Sequence, residues 1–151
     1  SMKEKSYTPE NYPLLRYGDV LLMLAEAENE AHQGPTDLAY ECINEIRQRA
    51  GISKLEGLSY TDFQQAVRDE RARELCFESL RKYDLVRWGI YVEAVHDKLG
   101  AATQDKRWAT GNQFIGARDY AARTQEKHQF LPIPTKELDV NGKLEQNKYW
   151  Q

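Results

Sequence analysis

Two acidic side chains one helical turn apart, Glu70 and Glu74, have the spacing of a carboxylate pair that could carry out acid and base chemistry. In a glycosidase such a pair stands about 5–9.5 Å apart, with one carboxyl group donating a proton and the other acting as base or nucleophile. Residues four apart lie on one face of a helix, so both carboxylates would point the same way. One interpretation of the sequence is therefore a glycoside hydrolase.

These two carboxylates share their face with the apolar side chains of Phe63, Ala66, Val67 and Phe77. Arg81 projects into the same stripe. A buried carboxylate without a partner is costly or becomes neutral, so we expect ion pairs. We favour a structural network over catalysis, because a protein that is 30% charged produces carboxylate pairs at this spacing freely. We predict no catalytic residue and assign six residues to the network: Glu70, Arg71, Arg73, Glu74, Arg81 and Arg87.

Other chemistry finds little support in the sequence. His32, His96 and His128 lie in separate elements without the spacing of zinc ligands, so we predict no metal and no cofactor. A nucleophile elbow and a glycine-rich phosphate loop are both missing. Cys42 and Cys76 fall inside helical patterns, and we expect free thiols.

Aromatic residues in the last third of the chain form a candidate binding surface. Trp108, Tyr120, Tyr149 and Trp150 lie in an irregular region, where an exposed ring could stack on a sugar or a peptide. Trp108 is the candidate ligand-binding residue, the alternative being that it caps a helical core. Trp88 belongs to a helical stripe, and we expect it to be buried in that core.

Length and composition indicate one domain and exclude two classes of protein. A chain of 151 residues can bury a core without metal or disulfide cross-links. Its net charge of −3 argues against a nucleic-acid partner. The longest apolar run has six residues, from Val20 to Ala25, which is too short to span a bilayer. We interpret residues 1–2 as an expression scar.

Hydrophobic periodicity predicts four helices over residues 13–100. Helix A, over 14–33, is apolar around most of its circumference, so we expect neighbours on more than one side. Helix B, over 36–50, is amphipathic and stops at Gly51. A short link makes A and B an antiparallel hairpin.

Helices C and D form the second predicted pair. Helix C starts at a capping box formed by Thr61 and Gln64 and runs to about Arg81. Helix D occupies 85–99 and ends at Gly100. Residues 101–151 are predicted to be rich in loops, with a short helix over 117–126 and an extended segment over 131–134, where two prolines restrict the backbone. The predicted fold class is all-α, with hairpins similar to tetratricopeptide (TPR) repeats.

The order of these features resembles the C-terminal region of the SusD/RagB family of outer-membrane nutrient-binding lipoproteins. Blocks that carry the resemblance occur in the family's order over most of residues 13–149: residues 16–27, 43–51, 70–78, 81–89, and the closing pair 131–134 and 146–149. Two departures are Glu28, where the family has an apolar residue, and Lys148, where proline is common. Residues 101–129 are unmatched.

The resemblance implies a surface protein that captures a glycan or glycopeptide and passes it to a SusC-like TonB-dependent transporter, without catalysis. It also implies location at the cell outer membrane as a lipoprotein, with the anchor outside this chain. Family members are several hundred residues long, so we expect this chain to be a C-terminal fragment that lacks most of the ligand site.

One further function stays open beside glycan capture and hydrolysis. Paired helices alone are also compatible with a TPR-like scaffold that binds a protein or peptide in a groove. Such a scaffold should expose a polar concave face on helix A, whereas that helix is mostly apolar. We therefore rank the scaffold second.

Overall fold

A computed structural model of the chain describes residues 13–99 and 112–151. Every regular element within these residues is a helix, so the all-α, TPR-like class is confirmed. The chain divides between Ser79 and Leu80 into two compact units. Among the residues described, no helix has both the length and the apolar character needed to cross a bilayer.

The helices divide between the two units as follows. The first unit contains α1 (Tyr17–His32), α2 (Asp37–Arg49) and α3 (Tyr60–Glu74). The second contains α4 (Arg81–Arg87), α5 (Tyr91–Ala94) with a π-helical turn over Val95–Leu99, α6 (Asn112–Arg123) and α7 (Thr135–Val140). Two 3-10 turns, Glu126–Gln129 and Lys148–Trp150, complete the second unit.

α1 and α2 form the predicted hairpin. The hydroxyl oxygen of Thr36 accepts a hydrogen bond from the backbone N–H of Ala39 at 3.1 Å, which caps the start of α2. Gly51 follows the end of α2 with φ of +72°, a conformation that glycine adopts without strain. Both ends of α2 lie within one residue of the predicted bounds.

α3 packs against the hairpin and completes the first core. Phe63 is fully buried and meets Tyr40 edge to face, with ring centroids 5.1 Å apart. The buried apolar side chains of this unit come from all three helices: Leu21, Leu22, Ala25, Ala39, Cys42, Ile43, Ile46, Phe63 and Val67.

α1 has two helical neighbours, α2 and α3, but the described residues leave part of its apolar surface exposed. Leu21, Leu22 and Ala25 face the core, but a second apolar row on the helix is exposed. We call this row the α1 outer stripe; it consists of Tyr17, Val20, Leu24, Ala27 and Ala31. Its steps of three and four residues are those of a helix face that packs against another helix.

α3 begins and ends elsewhere than predicted. Ser59, and not Thr61, caps the helix, because the Ser59 hydroxyl oxygen accepts from the backbone N–H of Asp62 at 3.2 Å. The helix ends at Glu74, after which Phe77 adopts φ of +67° and is 99% exposed. The assignment of Phe77 and Arg81 to the apolar face of this helix is therefore wrong.

Helix D is divided into α4 and α5. Gly89 lies between them with φ of +70°. This left-handed conformation does not occur inside a right-handed helix, so it ends α4. Trp88 is partly buried against the core of the second unit and is not fully buried as predicted. That core consists of Leu85, Tyr91, Val95 and Ala121. α6 starts earlier than the predicted short helix.

Candidate functional site

Glu70, the first predicted carboxylate, lies inside the first unit and is bound by arginines. Its side chain is 3% exposed, and Arg47 Nη1 donates to its Oε2 at 2.7 Å. Arg73 Nη1 lies 3.6 Å from the same oxygen but is largely exposed. Glu70 therefore links α3 to α2 through Arg47.

Glu74, the second predicted carboxylate, is held by guanidinium groups from two other segments. Arg16 Nη1 donates to Glu74 Oε1 at 2.6 Å, and Arg49 Nη2 donates to the same oxygen. Burial alone would raise the pKa of Glu74, but the hydrogen bonds from Arg16 and Arg49 outweigh it, so the pKa is lowered. A general acid needs a raised pKa, so this environment disfavours proton donation by Glu74.

Arg16 joins this cluster to the end of α3. Its Nε donates to both carboxylate oxygens of Glu78 at 2.9 Å, in addition to the contact with Glu74. Hydrogen bonds to Glu78 and then Glu74 raise the pKa of Arg16, which stays charged. The segment before α1 is thereby fixed to the turn that follows α3.

The remaining network residues separate into two groups. Arg71 pairs with Asp19 of α1, with 2.8 Å between Nη1 and Oδ1. Arg81 and Arg87 lie in the second unit, where their guanidinium carbons are 5.4 Å and 4.8 Å from the ring centroid of Trp88. The structure brings four of the six predicted residues together in the first unit: Glu70, Arg71, Arg73 and Glu74.

A cavity of about 470 Å³ lies in the second unit. Aromatic and apolar side chains form much of its wall: Tyr91, Tyr120, Phe130, Leu131, Pro132 and Trp150. The hydroxyl groups of Tyr91 and Tyr120 are hydrogen-bonded to each other. Burial, and then this hydrogen bond, raise the pKa of Tyr91 to about 12, so its phenol is neutral at physiological pH.

Amide side chains near the C-terminus hold one wall of this cavity. Gln146 accepts from the backbone N–H of Ile133 at 2.8 Å and donates to the carbonyl oxygen of the same residue at 2.9 Å. Asn147 Nδ2 donates to the carbonyl oxygen of Leu131 at 2.6 Å. The segment over 131–134, predicted to be extended, contains no helix, and these bonds fix it in place.

Trp150 closes the same side of the cavity. Its indole N–H donates to the carbonyl oxygens of Lys127 and Phe130, at 3.1 Å and 3.0 Å. Phe130 also stacks on Tyr149, with 6.1 Å between centroids and an interplanar angle of 5°. The aromatic residues named from the sequence thus include wall residues, Tyr120 and Trp150, and a supporting residue, Tyr149.

Charged groups at the cavity are mostly basic. Lys82, Arg123 and His128 line it, together with the carboxylate of Asp119. Asp119 Oδ1 lies 3.8 Å from Arg118 Nη2. His128 Nδ1 accepts from the backbone N–H of Gln125 at 2.9 Å, so a neutral ring carries its proton on Nε2 and can donate there.

Two sequence predictions remain: Trp108 as a ligand-binding residue, and no bound metal. Trp108 lies outside the residues that the structure describes. Within 13–99 and 112–151, no group of three or more His, Cys, Asp or Glu side chains is placed to hold a metal ion.

A family model for the SusD family matches residues 1–150 of the chain. The chain belongs to the SusD family. SusD-like protein P25 of Formosa agariphila is 40% identical over 139 residues, which are 89% of this chain and 23% of that protein. SusD-like protein P2 of the same organism is 29% identical over 148 residues, 91% of this chain and 25% of that protein.

Solved SusD structures share the fold. A SusD homologue from Bacteroides thetaiotaomicron superimposes with a TM-score of 0.77 at 39% identity, covering 89% of this chain and 26% of that one. A SusD superfamily protein from Bacteroides vulgatus gives 0.65 at 30% identity, covering 90% and 27%. This SusD-family chain thus spans about a quarter of the length of the relatives that it matches.

Proposed function

We propose that this chain is a non-catalytic part of a surface glycan-capture protein that delivers oligosaccharide to a SusC-like TonB-dependent transporter. Membership of the SusD family, shown by the match over residues 1–150, is the observation that carries the proposal. The whole protein would be a lipoprotein of the cell outer membrane, with most of its glycan or glycopeptide site in parts that this chain does not span.

The surroundings of the two carboxylates support a role without catalysis. Glu70 and Glu74 each accept short hydrogen bonds from guanidinium groups, and the pKa of Glu74 is lowered. A glycosidase would need one of the two to hold a proton near neutral pH. The carboxylates instead fasten α3 to its neighbours.

Two measurements on the full-length protein test this proposal. We expect a glycan array to show binding of oligosaccharides without release of new reducing ends. We also expect a TonB-dependent transporter to co-purify from detergent-extracted outer membranes. Turnover of a bound glycan that is lost in Glu74→Gln, with the fold retained, would contradict the non-catalytic role. Failure to bind any glycan or transporter would contradict the capture role.

A peptide-binding helical scaffold is the alternative; it would use an exposed apolar row of α1 and not the polar face expected of a TPR-like groove. The α1 outer stripe offers exposed Tyr17, Val20 and Leu24 on a face suited to a second helix. In a capture protein, other parts of the same polypeptide would cover this stripe. Protection of the Leu24 side chain from hydroxyl-radical oxidation in the full-length protein alone supports capture, whereas protection that requires an added partner supports the scaffold.

A further inference from the structure

We propose that the cavity of the second unit binds a saccharide that carries an acidic group, either a carboxylate or a sulfate. The saccharide part of this inference rests on the proposed function, while the acidic part rests on the side chains that line the cavity. The site would give this chain a ligand contact of its own, separate from the glycan site that we place elsewhere in the protein.

The size and walls of the cavity suit one or two sugar rings. Small-molecule sites commonly occupy about 300–1,000 Å³ and combine aromatic walls with a few polar groups, and this cavity measures about 470 Å³. Phe130 and Leu131 are 50% and 78% exposed, so apolar surface remains uncovered beside it. The C–H faces of a pyranose ring can cover such surface while its hydroxyl groups stay hydrated.

The tyrosine pair adds hydroxyl groups to this apolar wall. Tyr91 is 2% exposed, and its hydroxyl group is hydrogen-bonded to that of Tyr120, which is half exposed. The two hydroxyl groups have more acceptor sites than their mutual hydrogen bond uses. They can therefore contact a sugar hydroxyl without the cost of removing a charge from water.

The basic groups select for an acidic ligand. Lys82 Nζ lies 5.4 Å from the ring centroid of Tyr91, which brings its positive charge to the aromatic wall. Arg123 is exposed at the end of α6 and offers the forked geometry that binds carboxylate or sulfate oxygens in pairs. Because the chain as a whole has a net charge of −3, this local excess of cations is not a general property of its surface.

The site is also held in shape by bonds that are already formed. Gln146 and Asn147 fix the backbone at Ile133 and Leu131, and Trp150 fixes the backbone at Phe130. A wall that is ordered before binding loses less conformational entropy when the ligand arrives. The cavity therefore needs no large rearrangement to accept a sugar.

Calorimetry on the full 151-residue chain tests the inference with four probes. Trigalacturonate carries carboxylates, a sulfated galactose trisaccharide carries sulfates, galactotriose is the neutral control, and sodium sulfate is the control for the anion alone. We expect at least one acidic trisaccharide to bind about tenfold or more tightly than galactotriose and sodium sulfate, as a charge-assisted hydrogen bond would provide. The two acidic arms show which group is preferred.

Variants then locate the binding. Arg123→Gln and Lys82→Gln should each lower the affinity for the acidic trisaccharide by about tenfold. Lys143→Gln removes the same charge from an exposed residue that does not line the cavity, and it should leave the affinity unchanged. Thermal unfolding of each variant checks that the fold is retained.

Several results would overturn the inference. If galactotriose binds as tightly as the acidic trisaccharides, the cavity does not select for an acidic group. If sodium sulfate binds as tightly, the saccharide part of the ligand contributes nothing to binding. Absence of binding by both acidic probes, or affinities that neither cavity variant changes, would remove the site. If the full-length protein still captures glycan in those cases, the proposed function stands and only the cavity inference fails.

Discussion

Arg71 on α3 and Asp19 on α1 form an ion pair that is almost completely buried, although the two residues are 52 positions apart in the sequence. The exposed fractions of their side chains are 4% and 9%. Removing one partner of such a pair leaves a buried charge without compensation. This contact therefore ties the stability of the first unit to the pairing of α1 with α3.

The first prediction concerns Arg71→Met. We expect a loss of about 3–5 kcal/mol in the free energy of unfolding, measured by urea denaturation. Arg73→Met on the same helix is the control and should cost less than about 1 kcal/mol, because Arg73 is 63% exposed. Equal losses in the two variants would contradict the importance of the buried pair.

The second prediction concerns pH. The folded pKa of Glu74 is lowered from its ordinary value of 4.5, so its stabilising contribution is present above pH 4.5 and is lost as the pH falls through the lowered pKa. Urea denaturation of wild type and Glu74→Gln should show a difference in stability at pH 7 that shrinks below pH 4.5. A difference that is constant with pH would contradict this account.

The third prediction concerns Gly18. A Cβ atom at this position would lie 2.8 Å from Arg16 Nη1 and 2.9 Å from Glu74 Oε1, two groups that are bonded to each other. Gly18→Ala should therefore destabilise the chain by about 1–2 kcal/mol, despite the better helix propensity of alanine. The control is Gly116→Ala in α6, where an added Cβ meets nothing within 4 Å and should stabilise by up to about 1 kcal/mol. Thermal unfolding should show a lower melting temperature for Gly18→Ala and a higher one for Gly116→Ala.

The fourth prediction concerns the start of α3. Ser59→Ala should cost about 1 kcal/mol, because it removes the hydrogen bond from the Asp62 N–H and the bond of 2.6 Å to the Asp62 carboxylate. Thr61→Ala should cost less than about 0.5 kcal/mol, since Thr61 is inside the helix and exposed. A larger loss of stability for Thr61→Ala than for Ser59→Ala would contradict this and would support the capping box predicted from Thr61 and Gln64.

Sequence patterns predicted the bounds of a helix correctly where only one of its faces is apolar. The bounds of α2 follow from its amphipathic pattern, from Thr36 before it and from Gly51 after it. α1 was harder because it has two apolar faces, and periodicity cannot tell which one the described residues cover. The end of α3 was missed because Phe77 adopts a left-handed conformation that is unusual for a bulky residue.

The sequence predicted the two candidate sites to different extents. Apolar periodicity indicated that Glu70 and Glu74 would need partners, but it could not name Arg47, Arg49 and Arg16, which come from separate segments. The cavity wall joins residues from Lys82 to Trp150, and most of them lie in elements without a regular pattern. Gln146 and Asn147 stood in a recognised block, but only coordinates show that they bind the segment over 131–134.

The two cysteines lie in very different surroundings. Cys42 is buried in the first core, and burial followed by the nearby negative charges of Glu45, Glu41 and Glu28 raises the pKa of its thiol. Cys76 is exposed just after α3. Since only a reachable thiolate reacts with a maleimide, a fluorescent dye should attach at Cys76 alone. This chain therefore supplies a single attachment point for fluorescence spectroscopy, with no cysteine to add or remove.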